Sequence, residues 1–121
     1  MELKSRTKKF ALDIIRLFRS LPRAEDVRII ARQVPRSGTS VAANYRAACR
    51  ARSRAEFIAK LGTVVEEADE TVFWLDLLVE SGVVEQQLVA AIAKEANELL
   101  AIFAASQRTA RQATKTESLD H

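Results

Sequence analysis

Apolar residues recur along most of this chain at the three- and four-residue steps of an amphipathic helix. Phe10, Ile14, Leu17, Phe18 and Leu21 share one face of a first helix, from about Ser5 to Leu21. Pro22 stops it, because the residue before proline avoids the helical region. A second helix starts near Glu25 or Asp26, whose carboxylates suit a helix N-terminus. Its stripe is Val27, Ile30, Ala31 and Val34, and it resumes at Val41, Tyr45 and Ala48. Pro35 lies between the two halves, and the spacing predicts a kink there rather than a stop. The small residues Ser37, Gly38, Ser40, Ala42 and Ala43 would let a neighbouring helix approach closely.

The third helix opens with a capping box, Ser53-Arg54-Ala55-Glu56. Phe57, Leu61, Val64, Ala68, Val72, Leu75 and Val79 then keep a heptad-like rhythm up to Gly82, the expected stop. Such a rod is about 42 Å long at roughly 1.5 Å per residue. A second apolar set on it, Ile58, Val65, Phe73, Trp74, Leu77 and Leu78, points towards other faces. One small bundle cannot bury a helix all round, so this set is read as an interface with another subunit. A fourth helix spans about Glu85 to Arg108, with Leu88, Ile92, Ala96, Leu99 and Phe103 on its buried face. Short connections make the fold all-α: an antiparallel up-down-up-down four-helix bundle over residues 1–112. Residues 113–121 lack periodicity and read as a disordered tail.

Composition supports helices. Three glycines and two prolines in 121 residues leave little of the punctuation that β-rich folds need. A single cysteine, Cys49, excludes an internal disulfide and a cysteine-based zinc site, and reads as a small buried or half-buried thiol. The single histidine is the terminal His121, which excludes histidine-based triads and Glu-x-x-His metal bundles. No glycine-rich phosphate loop occurs. No cofactor or metal is implied. Without a long apolar run or a signal-like N-terminus, a cytoplasmic location is the default.

Net charge is only +3, yet it is divided unevenly: residues 1–54 carry an excess of ten positive charges and residues 55–121 an excess of seven negative ones. Arg28, Arg32 and Arg36 are spaced to stack on one helix face, and Arg46, Arg50, Arg52 and Arg54 cluster around the end of the second helix. Guanidinium forks suit phosphate oxygens, so these seven arginines are the candidate nucleic-acid-binding set. Salt bridges to the acidic third helix, or a solvated face, are the plain alternative. Only Tyr45 is aromatic nearby, so binding would rest on backbone charge and not on base stacking. Asn44, on the small-residue face, needs partners if buried, and Glu67 or Glu70 could supply them. With Tyr45 these form a candidate structural network that fixes helix register. Glu66-Glu67-x-x-Glu70 and Glu95-x-x-Glu98 admit a weak magnesium-dependent nucleoside-triphosphate pyrophosphatase reading. Lys4, Arg6, Lys8 and Lys9 admit an equally weak membrane-surface one.

Three stretches together resemble the four-helix-bundle proteins of the 23S rRNA intervening-sequence family. They are Arg36-Ser37-Gly38-Thr39-Ser40-Val41-Ala42-Ala43-Asn44-Tyr45-Arg46, the run from Arg50 to Phe57, and Glu66 to Glu70 with Trp74-Leu75. The similarity covers roughly residues 8–107. The accessory protein of diversity-generating retroelements is a relative of that family. The resemblance implies a bundle without enzymatic activity, assembled as a homopentameric ring, with nucleic acid as a partner. This chain departs from it where many members carry Asn-Ile-Ala-Glu-Gly: Asn44 to Ala48 lack the glutamate. Pro35 also replaces an ordinary apolar helix former. The reading that results is a non-catalytic oligomeric module binding RNA or DNA, and the alternative is a protein-protein adaptor.

Overall fold

The computed structural model describes residues 2–119, with side chains through residue 116. Its helices are α1 (Leu3–Ser20), α2 (Glu25–Ala31), α3 (Gln33–Cys49), α4 (Arg54–Glu80) and α5 (Gln86–Leu119). No strand occurs among the described residues. Segments α2 and α3 follow one another across Arg32 and act as a single rod, so the bundle has four rods. α1 packs on α3, α3 on α4, α4 on α5, and α5 closes the circuit onto α1.

The core follows the sequence periodicity. Phe10, Ile14 and Leu17 of α1 meet Val34, Val41 and Ala48 of α3, together with Leu61, Val64 and Leu75 of α4 and Leu99 and Phe103 of α5. Leu21 ends α1 in an extended conformation (φ −77°, ψ 152°), as its place before Pro22 demands. Gly82 ends α4 with φ +80°, a left-handed conformation that costs glycine little. The tightest helix contact is at Gly38: a Cβ there would stand 2.6 Å from Ile14 Cδ1, so α1 and α3 can approach this closely only over a glycine. Beside it, buried Ser37 and Thr71 join α3 to α4, their hydroxyl oxygens 2.9 Å apart. The Ser37 hydroxyl also reaches the Gln33 carbonyl one turn back, so the buried pair is satisfied.

Several details differ from the sequence reading. Pro35 does not kink a continuous helix. The break comes earlier, at Arg32, because Pro35 has no N–H to give the Ala31 carbonyl and its ring crowds that group. A fresh helix starts at Gln33, and Pro35 then sits in its first turn, where a missing N–H costs nothing. The capping box forms with a shift: Ser53 Oγ accepts from the Glu56 N–H at 3.1 Å, but Glu56 Oε2 accepts from the N–H of Arg52 at 3.4 Å. Leu78, assigned to an outward face, is fully buried, and with Thr71 it moves the buried stripe of α4 round by one position near its end. In α5 the same happens: Val89 is buried and Leu88 is 50% exposed. The fourth helix continues past Arg108 to Leu119, through the segment read as a tail. Side chains 111–116 are exposed there, so no core contact holds this extension. Residues 120 and 121 lie outside the described residues.

Candidate nucleic-acid interface

The seven candidate arginines do not form one surface. Arg28 is half-buried: its guanidinium lies 4.5 Å over the Phe18 ring and donates to the carbonyls of Phe18 and Leu21, both at 3.4 Å. It thereby ties the carbonyl end of α1 to α2. Arg36 donates to Gln33 Oε1 at 2.8 Å and to Glu70, and its guanidinium is 3.6 Å from Glu67. Both arginines are committed within the fold, so the expected basic stripe of Arg28, Arg32 and Arg36 does not exist as a free surface. Arg32 and Arg36 are both exposed, but of these two only Arg32, at the helix break, makes no ion pair among the described residues.

Arg46, Arg50 and Arg52 behave differently. All three are exposed, and none makes an ion pair among the described residues. Arg46 of α3 and Arg50, the residue that caps its end, stand four residues apart. On one side of them is a concavity of about 480 Å³, lined also by Arg52 and Lys60. On the other is a concavity of about 530 Å³, lined also by Lys4 and Lys8 of α1. Six cations from three helices and a loop thus share one end of the bundle. The one carboxylate among the lining residues, Glu56, is engaged as the cap of α4. Arg54 lies in the next concavity round, with Phe57 and the small residues Ala105, Ser106 and Ala110, and is apart from this group.

Lys4, Lys8 and Lys60 were not in the candidate set. Sequence spacing cannot reveal them, but topology can. In an antiparallel bundle the start of the first helix and the start of the third both lie beside the end of the second. Arg6, their neighbour, is withdrawn from the face: its guanidinium bonds Glu95 at 2.6 and 2.8 Å and Glu98 at 2.7 Å, tying α1 to α5. That bonding holds the Glu95 carboxyl below the usual range, against the opposing effect of burial.

The expected polar network also forms differently. Asn44 donates to the Ser40 carbonyl at 2.9 Å and to Ser40 Oγ at 2.8 Å, both on its own helix, and reaches neither Glu67 nor Glu70. Glu70 instead accepts from Trp74 Nε1 at 3.2 Å and from Arg36. Glu67 Oε2 is sealed from solvent with no hydrogen bond. Burial first, and the neighbouring Glu70 second, push the Glu67 carboxyl above its ordinary pKa. The Tyr45 ring packs 5.0 Å from that of Phe103. Burial, with the nearby Cys49, pushes its phenol up to about 12. Cys49 itself is exposed rather than buried. The four-residue turn from Tyr45 places it on the rim of the core.

The carboxylates of the pyrophosphatase reading are divided between two arginines, Glu67 and Glu70 with Arg36, Glu95 and Glu98 with Arg6. Among the described residues no three acidic, histidine or cysteine side chains gather closely enough to hold a metal ion. Of the apolar interface candidates, Phe73 is 55% exposed and stacks edge-on with Trp74 at 5.0 Å. Ile58, Val65, Trp74 and Leu77 are half-buried. Ile29, which the sequence reading passed over, is more exposed still, at 63%.

The family described as 23S rRNA-intervening sequence protein matches residues 1–105. The chain belongs to that family. The match runs from the start of α1 through Phe103 of α5 and so includes the whole basic end of the bundle. Among solved structures, a protein of unknown function from the S23 ribosomal protein family of Bacteroides thetaiotaomicron is 32% identical. The similarity covers 88% of this chain and 98% of that one, with a TM-score of 0.81. A search of the curated proteins finds no match. The intervening-sequence fold is therefore shared along nearly the whole bundle, and no helix among the described residues is long and apolar enough to cross a membrane.

Proposed function

We propose that this intervening-sequence protein is a non-catalytic, oligomeric module that binds nucleic acid, RNA or DNA, by its phosphate backbone. One observation carries the reading. Arg46, Arg50, Arg52, Lys4, Lys8 and Lys60 converge on one end of the bundle around a single lining carboxylate, Glu56, and make no ion pair among the described residues, while Arg6 and Arg36 are held by carboxylates and Arg28 by carbonyls of α1. Unpaired cations held together on rigid helices repel one another, and a polyanion relieves that repulsion while releasing its own counterions. The pairing of Glu67, Glu70, Glu95 and Glu98 with arginines supports a non-catalytic role, since it leaves them poorly placed to chelate magnesium.

The reading is tested by titrating labelled RNA and DNA at several salt concentrations, with wild type and an Arg46→Gln/Arg50→Gln/Arg52→Gln variant. Affinity falls steeply with salt for the wild type, and the variant lowers the log–log slope by about 3, close to one per lost phosphate contact. Nucleic acid that fails to bind even at low salt overturns the proposal.

A second observation favours protein contact on another face. Phe73 is 55% exposed and stacks edge-on with the half-buried Trp74, so an aromatic pair on α4 is left partly uncovered. This supports the oligomeric part of the reading, a pentameric ring as the family resemblance implies. The adaptor alternative uses the same face for a different protein. Light scattering separates them: Phe73→Glu dissociates the assembly in the first case and leaves a monomeric wild type unchanged in the second.

A further inference from the structure

The two basic concavities are not independent. Both are lined by Ala43, Arg46 and Arg50, so these residues form a ridge between two troughs. The ridge is the last three turns of α3 with its C-cap: Thr39, Ala43 and Arg46 lie along it at helical spacing, and Arg50 ends it. One trough has Lys4 and Lys8 on its far wall, and the other has Arg52 and Lys60 with one acid, Glu56, between them in the chain, so both walls are net positive. A ridge flanked by two cationic troughs is the complement of two phosphate strands flanking a groove.

We propose that this end of the bundle recognises double-stranded nucleic acid: the α3 ridge enters a groove, and the two walls each hold one of the flanking backbones. The inference rests on the nucleic-acid reading above and narrows it. An α-helix with its side chains is about 10–12 Å across, and the B-form major groove is about 12 Å wide. The shallow minor groove of A-form RNA is wide enough as well. Ala42, Ala43 and Ala47 line the troughs with methyl groups only, so nothing bulky holds a backbone away from the helix. Arg46 and Arg50 project together from the crest. No aromatic side chain lines either trough, and Tyr45 is turned to Phe103. Proteins that grip single strands gain much of their affinity from bases stacked on aromatic rings, and that platform is missing here. Four of the six cations are mounted on three helices and the other two on the short turn between α3 and α4, an array that suits the regular phosphates of a duplex better than a flexible strand.

The test is fluorescence anisotropy on the full chain with three probes: a DNA duplex and an RNA duplex of about 20 base pairs, and a single strand with the same number of phosphates. At least one duplex binds about tenfold or more tightly than the single strand, and whichever duplex it is names the natural form. Two variants remove one wall each, Lys4→Gln/Lys8→Gln and Arg52→Gln/Lys60→Gln. Each weakens duplex binding about tenfold and lowers the salt slope by about 2, with an unchanged circular dichroism spectrum. The matching Lys4→Arg/Lys8→Arg variant keeps the affinity. A single strand bound as tightly as both duplexes overturns the inference while leaving the broader reading intact. So does a duplex that is indifferent to the loss of one wall. Failure of every probe to bind at low salt removes the broader reading with it.

Discussion

The α2–α3 rod carries arginines at both ends with the same four-residue spacing, and the two ends use them in opposite ways. At the near end Arg28 is laid over Phe18 and bonded to carbonyls of α1, and Arg36 is held by Glu67 and Glu70 of α4. At the far end Arg46 and Arg50 face the starts of α1 and α4, where Lys4, Lys8 and Lys60 outnumber the acids Glu2 and Glu56. A spacing of four residues fixes only that side chains share a helix face. What the face can do depends on the neighbouring helix, and here topology supplies partners to one end and company of like charge to the other.

The contrast is sharpened most by binding measurements. Replacing Arg46, Arg50 and Arg52 together by glutamine lowers nucleic-acid affinity at low salt by about two orders of magnitude or more. The same measurement on Arg28→Gln changes little. Stability reverses the pattern, and its largest effect comes at the contact that sets the rod against α1. Gly38→Val forces a branched side chain into the space of Ile14 and costs about 3 kcal/mol in chemical denaturation, whereas Gly62→Ala meets only the movable end of Gln107 and is close to neutral.

Next in size, Arg36→Ala leaves Glu67 and Glu70 without their cation. With the pair about half open to solvent, it costs about 1–2 kcal/mol, against less than about 0.5 for Arg50→Ala. The smallest effect is the most diagnostic of the near end. The folded-state pKa of Glu67 lies above its unfolded value, so the fold favours the protonated form. Stability from this group is complete below the unfolded pKa and is lost as pH rises through the folded one. Glu67→Gln should therefore raise the thermal midpoint slightly at neutral pH, and the gain should vanish in acid. Glu95 has the opposite sign: Arg6 lowers its pKa, so its contribution is present at neutral pH and fades on acidification.

How much of this was legible beforehand follows from the same physics. Helix stops at Pro22 and Gly82, the cap at Ser53 and the small-residue face at Ser37 and Gly38 are local signals, and the fold obeys them. Periodicity does not single out Leu78 and Val89 as buried, because α4 and the start of α5 are apolar on more than one side and spacing alone does not choose the inner one. Pro35 disrupts the rod, but its cost falls on the carbonyl four residues earlier, which moves the break to Arg32. Asn44 found Ser40 one turn away, a local partner that competes with any acceptor on another helix. Half of the interface, Arg46, Arg50 and Arg52, was readable as a charge cluster. The other half, Lys4, Lys8 and Lys60, lies some forty residues back or beyond a turn, and only the antiparallel order of the rods brings it there.

The salt dependence of wild-type binding tests the central claim most directly. If the six cations at the far end meet phosphates, a plot of log affinity against log salt for a duplex probe has a slope near −5 per bound chain. A slope near zero, or no binding at low ionic strength, would mean that this end of the bundle is a solvated surface and nothing more.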